Sequence, residues 1–191
     1  MPFNEFQSLY PNKNLVKDGI ANIDKFNKIS PKILWILKEA VDEDKTAWDL
    51  CEFMNETVTT YPKWYATWKL IIQISYALIN NIFDYDKIPT ATKIENITSY
   101  IALINIKKEA GTTKSKQKEI NKCYLQTKDI LLKQIIDINP DIILNCSGVN
   151  ILYKDLKSKT KGIITNIYHP AQRKLTHKKY FDLCISKCVK L

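Results

Sequence analysis

Both histidines of the chain, His169 and His177, and its one arginine, Arg173, fall within a single stretch, "NIYHPAQRKLTHKK" (166–179). Imidazole is the side chain best suited to donating a hydrogen bond or moving a proton near neutral pH. His169 follows a short apolar run and precedes Pro170, whose ring restricts the backbone. His177 sits among Lys174, Lys178 and Lys179, where solvent screens it. Three further polar segments also follow apolar runs. "KEAVDED" (38–44) offers Glu39, Asp42, Glu43 and Asp44; "INIKK" (104–108) offers Asn105; "CSG" (146–148) offers Ser147 and Gly148. A carboxylate, an amide and an imidazole together can supply a general base, a hydrogen-bonding reader and a stabiliser of developing charge. Each also has a structural reading. The acids can form a solvated loop, with Asp44 or Thr46 capping a helix in "AWDLCEFM" (47–54); Asn105 can simply end a strand; 173–179 can be a solvated turn.

The elements that must carry these groups are read from periodicity. "PKILWILKEA" (31–40), "SYIALINI" (99–106), "DIILNC" (141–146) and "GIITNIY" (162–168) are short and apolar on both faces, the pattern of strands buried in a parallel sheet. Helical spacing lies between them. "YPKWYATWKLIIQISYALINNIF" (61–83) has Pro62 near its start and Trp64, Trp68, Ile71, Ile72 and Ile79 on a wide apolar face. "SKQKEINKCYLQTKDILLKQIIDI" (115–138) places Ile120, Tyr124, Leu131 and Ile135 on one side and lysines on the other. "VNILYKDLKSK" (149–159) and "KKYFDLCISKCVKL" (178–191) read as further helices. The alternation predicts an α/β fold, a three-layer α/β/α domain with a four-stranded, mostly parallel sheet over 1–191. Residues 1–30 are expected to form a short extension packing on it, with "KDGIANIDKF" (17–26) as a turn and helix start. In open α/β sheets ligands sit at the carboxyl ends of the strands, where all four polar segments fall.

The 191 residues are 45% apolar, a composition that excludes a disordered chain. The longest apolar run, "LIIQISYALINNIF" (70–83), is too short and too polar to cross a bilayer, and the first residues lack a signal-peptide pattern. The reading is a cytoplasmic monomer without membrane contact. Five scattered cysteines (51, 123, 146, 184 and 188) argue against a disulfide framework. Cys184 and Cys188 lie one helical turn apart without a matching second pair, so neither a metal nor a cofactor is expected. The net charge of +9 is uneven. Residues 1–100 hold 11 lysines and 13 acids, net −2, whereas 101–191 hold 18 basic and 7 acidic residues, net +11. That asymmetry suits a face turned to a polyanion. A single arginine supplies few bidentate contacts for reading a defined duplex sequence.

Four of these segments, taken in order, resemble the uracil-DNA glycosylase superfamily. "LKEAVDEDKTAW" (37–48) is similar to the first motif of its iron–sulfur branches, with Lys38, Val41 and Asp42 where those branches carry Gly, Pro and Gly. "ALINIKK" (102–108) is similar to the strand whose final Asn reads a flipped base, "NPDIILNCSG" (139–148) to the strand that follows the long helix, and "YHPAQ" (168–172) to the last-strand His-Pro-Ser or His-Pro-Ala. The similarity spans residues 32–183. The chain has no Cys before Cys51, so no cluster is expected.

The resemblance implies base excision from DNA that is single-stranded or damaged. A nucleotide would be flipped into the pocket. Trp48 or Phe53 would stack on it, and Asn105 would bond its edge. Glu39, or secondarily Asp42, would orient water at the sugar carbon. His169 would stabilise the departing base, and Lys107, Lys108, Ser147, Arg173 and Lys174 would hold phosphates. A second reading is a non-catalytic relative that binds nucleic acid or a nucleotide with the same pocket. A dinucleotide-dependent enzyme shares the layout but is disfavoured by the absence of Gly-x-Gly-x-x-Gly after the first strand.

Overall fold

A computed structural model describes residues 2–42, 44–56, 58–60, 65–111 and 115–189. Glu43, Pro62 and Trp64 of the sequence reading lie outside the described residues. The chain begins with helix α1 (Pro2–Leu9), strand β1 (Gly19–Ile20) and helix α2 (Ile23–Asn27). Strand β2 (Ile33–Val41), helix α3 (Leu50–Asn55), helix α4 (Tyr65–Asn80) and strand β3 (Ala102–Gly111) follow. Helix α5 (Gln117–Ile138), strand β4 (Ile142–Asn145), helix α6 (Asn150–Lys157), strand β5 (Ile163–Asn166) and helix α7 (His177–Cys188) complete it.

The sheet has five strands in the order β1-β3-β2-β4-β5, with β1 antiparallel to β3 and the other pairs parallel. Alternate residues of β2 face opposite layers. Ile33, Trp35 and Leu37 join the core beneath α4 and α7, whereas Leu34 and Ile36 join the core beneath α5 and α6. Burial on both faces is why β2 reads as an unbroken apolar run. Trp35 is fully buried, and its indole N–H is satisfied by Ser75 Oγ of α4 at 3.0 Å. β3 and β4 flank β2, so the chain's direction of travel through the sheet reverses there. In this architecture such a reversal opens a crevice at the carboxyl ends.

The expected four-stranded sheet is corrected to five. The segment read as a turn and helix start contains β1, which a two-residue apolar signal could not announce. β3 also runs to Gly111 and not to Ile106. Lys107, Lys108 and Glu109 look like a loop in sequence, but each finds an opposite charge in a distant segment: Glu39, Asp18 and Lys13. The helix after β2 is capped by Asp49, whose side chain accepts from the N–H groups of Cys51 and Glu52, and not by Asp44 or Thr46.

Candidate functional site

The carboxyl ends of β4 and β5 are tied together by side-chain amides. Asn145 Nδ2 donates to Asn166 Oδ1 at 2.8 Å, and Asn145 Oδ1 accepts from Ser147 Oγ at 2.6 Å. Ser147 Oγ in turn accepts from the N–H of Val149 at 3.2 Å. Gly148 completes the turn with φ +72°, and a Cβ there would also meet the Gln117 side chain at 2.7 Å. Ser147 is fully buried and committed to this turn, which corrects its expected contact with phosphate.

His169 lies three residues past β5. Its Nδ1 accepts from the N–H of Ala171 at 3.2 Å, and its carbonyl accepts from the N–H of Gln172 at 2.9 Å. Burial lowers its pKa to about 4, and the nearby Lys38 cation of β2 pushes the same way. The ring is therefore neutral at physiological pH. With Nδ1 accepting, its proton belongs on Nε2, which makes it a fixed hydrogen-bond donor.

Glu39 and Asp42 are both engaged at the end of β2. Glu39 Oε2 accepts from Lys107 Nζ at 2.7 Å, with the two side chains 5% and 19% exposed. The carboxylate lies over Gly111, where a Cβ would come within 2.2 Å of it and would require the Glu39 side chain to shift. Lys107 is thus a partner of Glu39 and not an uncommitted phosphate ligand. Asp42 closes the turn that follows, accepting from the hydroxyl of Thr46 at 2.7 Å and from the N–H groups of Thr46 and Asp44 at 2.9 and 3.1 Å. The Thr46 hydroxyl bond is the main reason its carboxyl stays below the usual range, with the backbone bonds adding to it. Asp42 organises a loop.

Asn105 pairs in register with Leu37, well inside β3, and is 1% exposed. Its N–H donates to Asp18 Oδ2 at 2.7 Å. Its side-chain Oδ1 is buried and has no hydrogen-bond partner among the described residues. That is costly unless a donor arrives from outside. Three residues on, Lys108 is buried in a closed network. Its Nζ bonds both carboxylate oxygens of Asp18 at 2.6 and 2.9 Å and Gln134 Oε1 of α5 at 2.9 Å, 4.8 Å from the Phe6 ring. Burial lowers the Lys108 pKa and Asp18 opposes the shift. Lys108 is therefore corrected from a phosphate ligand to a core ion pair. Sequence reasoning missed Asp18, because "KDG" reads only as a turn. The available signal was Lys108 itself, had the strand been extended far enough to bury it.

Trp48 and Phe53, the expected base-stacking rings, are partly buried against the α4-side core. Their centroids are 5.9 Å apart in an edge-to-face contact, and Phe53 lies 5.7 Å from Trp68. Arg173 and Lys174 are exposed on the loop before α7, and Lys174 Nζ sits 5.5 Å from the ring centroid of Tyr168. His177 is exposed at the start of α7, after the Thr176 cap.

The carboxyl edge thus holds two neighbourhoods: Lys38, Tyr168, His169, Arg173 and Lys174 at β5, and Glu39, Lys107 and Gly111 at β3. No hydrogen bond or ion pair joins His169, Asn105 and Glu39 to one another among the described residues. A cleft of about 460 Å³ opens at the opposite edge, between Asn139–Asp141 and Lys159–Ile163, and none of the candidate catalytic, base-binding or phosphate-binding residues lines it. Among the described residues, no group of three or more His, Cys, Asp or Glu is placed to hold a metal ion, and no helix is long and apolar enough to cross a membrane. No protein-family model, no curated protein and no solved structure matches this chain.

Proposed function

We propose that this chain is a base-excision N-glycosylase acting on DNA, a divergent relative of the uracil-DNA glycosylases it resembles. The observation that carries the reading is His169, a neutral Nε2–H donor held at a strand end near the Lys38 cation, on the loop that goes on to Arg173 and Lys174. In glycosidic hydrolysis the C1′–N bond breaks and its electron pair leaves on the base. Water adds its oxygen to C1′, and the water's proton passes to a carboxylate. A preorganised donor aimed at the departing base stabilises the charge it acquires. The unpartnered Asn105 amide oxygen offers an acceptor for a base N–H. Glu39 Oε1 is the oxygen left to take the water's proton, since Lys107 holds Oε2.

A second reading, a non-catalytic binder of nucleic acid or nucleotides, is favoured by one specific observation. Both candidate carboxylates already serve other partners, Glu39 with Lys107 and Asp42 with Thr46. Incubation with single-stranded and mismatched DNA carrying uracil, hypoxanthine or xanthine, followed by cleavage of abasic sites, decides between the two. Strand breaks that depend on the protein establish excision. Salt-sensitive binding without breaks leaves the second reading.

A further inference from the structure

We propose that the ring of Tyr168 is a stacking platform for a base of single-stranded nucleic acid, with Lys174 and Arg173 taking the adjacent phosphates. The inference rests on the nucleic-acid reading above but does not require excision. Tyr168 is 50% exposed and supplies the one aromatic ring among the exposed large apolar side chains of the described residues. It stands at the carboxyl edge, immediately before His169. Its backbone is pinned, since the carbonyl accepts from the hydroxyl of Tyr180 at 2.6 Å and Tyr180 is fully buried within α7. The next peptide enters the turn closed by Ala171 and Gln172 on His169. A ring on a fixed backbone loses little entropy when a partner binds.

The cation arrangement specifies the partner. Lys174 Nζ lies over the Tyr168 ring, 5.5 Å from its centroid. A base arriving on the ring takes the place of that ammonium, which then has a phosphate within reach of its flexible stem. Arg173 precedes Lys174 on the same exposed loop, and Lys38 is close enough to the neighbouring His169 to lower its pKa, so the surroundings of the ring are positively charged. An acidic peptide would use the lysines but not the ring face. A duplex would offer phosphates but keep its base faces stacked on one another. Only an unpaired strand presents both.

The test is the affinity of the full chain for a fluorescent oligothymidine of about ten nucleotides, a length within common single-strand site sizes, measured across a salt series. Tyr168→Ala is expected to bind about tenfold more weakly, and Tyr168→Phe within about twofold of wild type. Tyr168→Ala should leave the dependence of affinity on salt unchanged, whereas Lys174→Ala should reduce its logarithmic slope by about 0.7. On a strand of equal charge built of abasic sites, wild type and Tyr168→Ala should bind alike. Wild-type affinity in Tyr168→Ala, with an unchanged melting curve, overturns the platform while leaving the nucleic-acid reading intact. So does a tenfold loss that persists on the abasic strand. Failure of wild type to bind at low salt overturns both.

Discussion

Two regions of this molecule use nearly the same side chains to opposite ends. On the β3 side, Lys108, Asp18 and Gln134 bond one another beneath Phe6, and the lysine side chain is 2% exposed. On the β5 side, Tyr168, His169, Arg173 and Lys174 lie along one loop at an open edge, where the lysine Nζ lies over the face of the Tyr168 ring. In the first region every charge is answered, so the network holds β1, β3 and α5 together and has nothing left to offer a ligand. In the second, the His169 Nε2–H and the Arg173 and Lys174 cations have no hydrogen-bond or ion-pair partner among the described residues, and the Tyr168 ring is half exposed. Charge identity therefore says little about role. The number of partners already satisfied says much more.

The comparison is broken most directly at Asp18. Asp18→Ala strands the Lys108 ammonium in a dry site and is expected to cost about 3–5 kcal/mol of stability, read as a lower urea midpoint. Combining Asp18→Asn with Lys108→Met should recover most of the loss, because no buried charge then lacks a counter-charge. A single substitution that stays within about 1 kcal/mol of wild type would show that the pair does not hold this region together.

On the β5 side, His169→Ala is expected to leave folding nearly unchanged. On any DNA that wild type cleaves, it should reduce turnover about a hundredfold, equivalent to about 3 kcal/mol of transition-state stabilisation. His177→Ala serves as the internal control and should do little to turnover. Equal and small effects of the two would reduce the stretch to a basic surface loop.

The same histidine imposes a pH dependence on stability. Its pKa is about 4 in the folded chain against 6.5 for the free side chain. As pH falls below 6.5 the unfolded chain takes up a proton that the folded chain refuses, so stability drops through the window from 6.5 to about 4. The contribution is on the order of 2 kcal/mol once partial solvent access is allowed for. His169→Asn should flatten this part of the curve in urea titrations across that range. An unaltered slope would mean that the imidazole is solvated.

The smallest effect concerns Asp42. Asp42→Ala removes acceptors from a loop turn and is expected to cost about 1 kcal/mol. Affinity for single-stranded DNA should not change. A large catalytic loss with preserved stability would restore Asp42 to the role that the family resemblance implies.

What could be read from the chain and what could not divide on physical grounds. Local periodicity is a property of neighbouring residues. It revealed β2, β4 and β5, the long α5 and the two later helices to within a few residues, and with them the α/β class and the strand-end location of His169. Burial of a charged or polar side chain depends on groups far away in sequence, and there the reading failed. Lys108 and Asp18 are 90 residues apart, and Lys107 and Glu39 are 68. Nothing near Lys108 indicates that it will be enclosed, and nothing near "KDG" indicates a strand. Trp48 and Phe53 qualified as stacking rings by position alone; the packing of Trp48 on Phe53 and of Phe53 on Trp68 depends on how α3 meets α4. Tyr168 shows the converse. A tyrosine at the end of an apolar run looks like core in sequence, and only the turn after β5, with Tyr180 holding its carbonyl, leaves the ring in the open. Residue type and spacing placed the backbone. Which side chains were left without partners was decided when distant segments closed on one another.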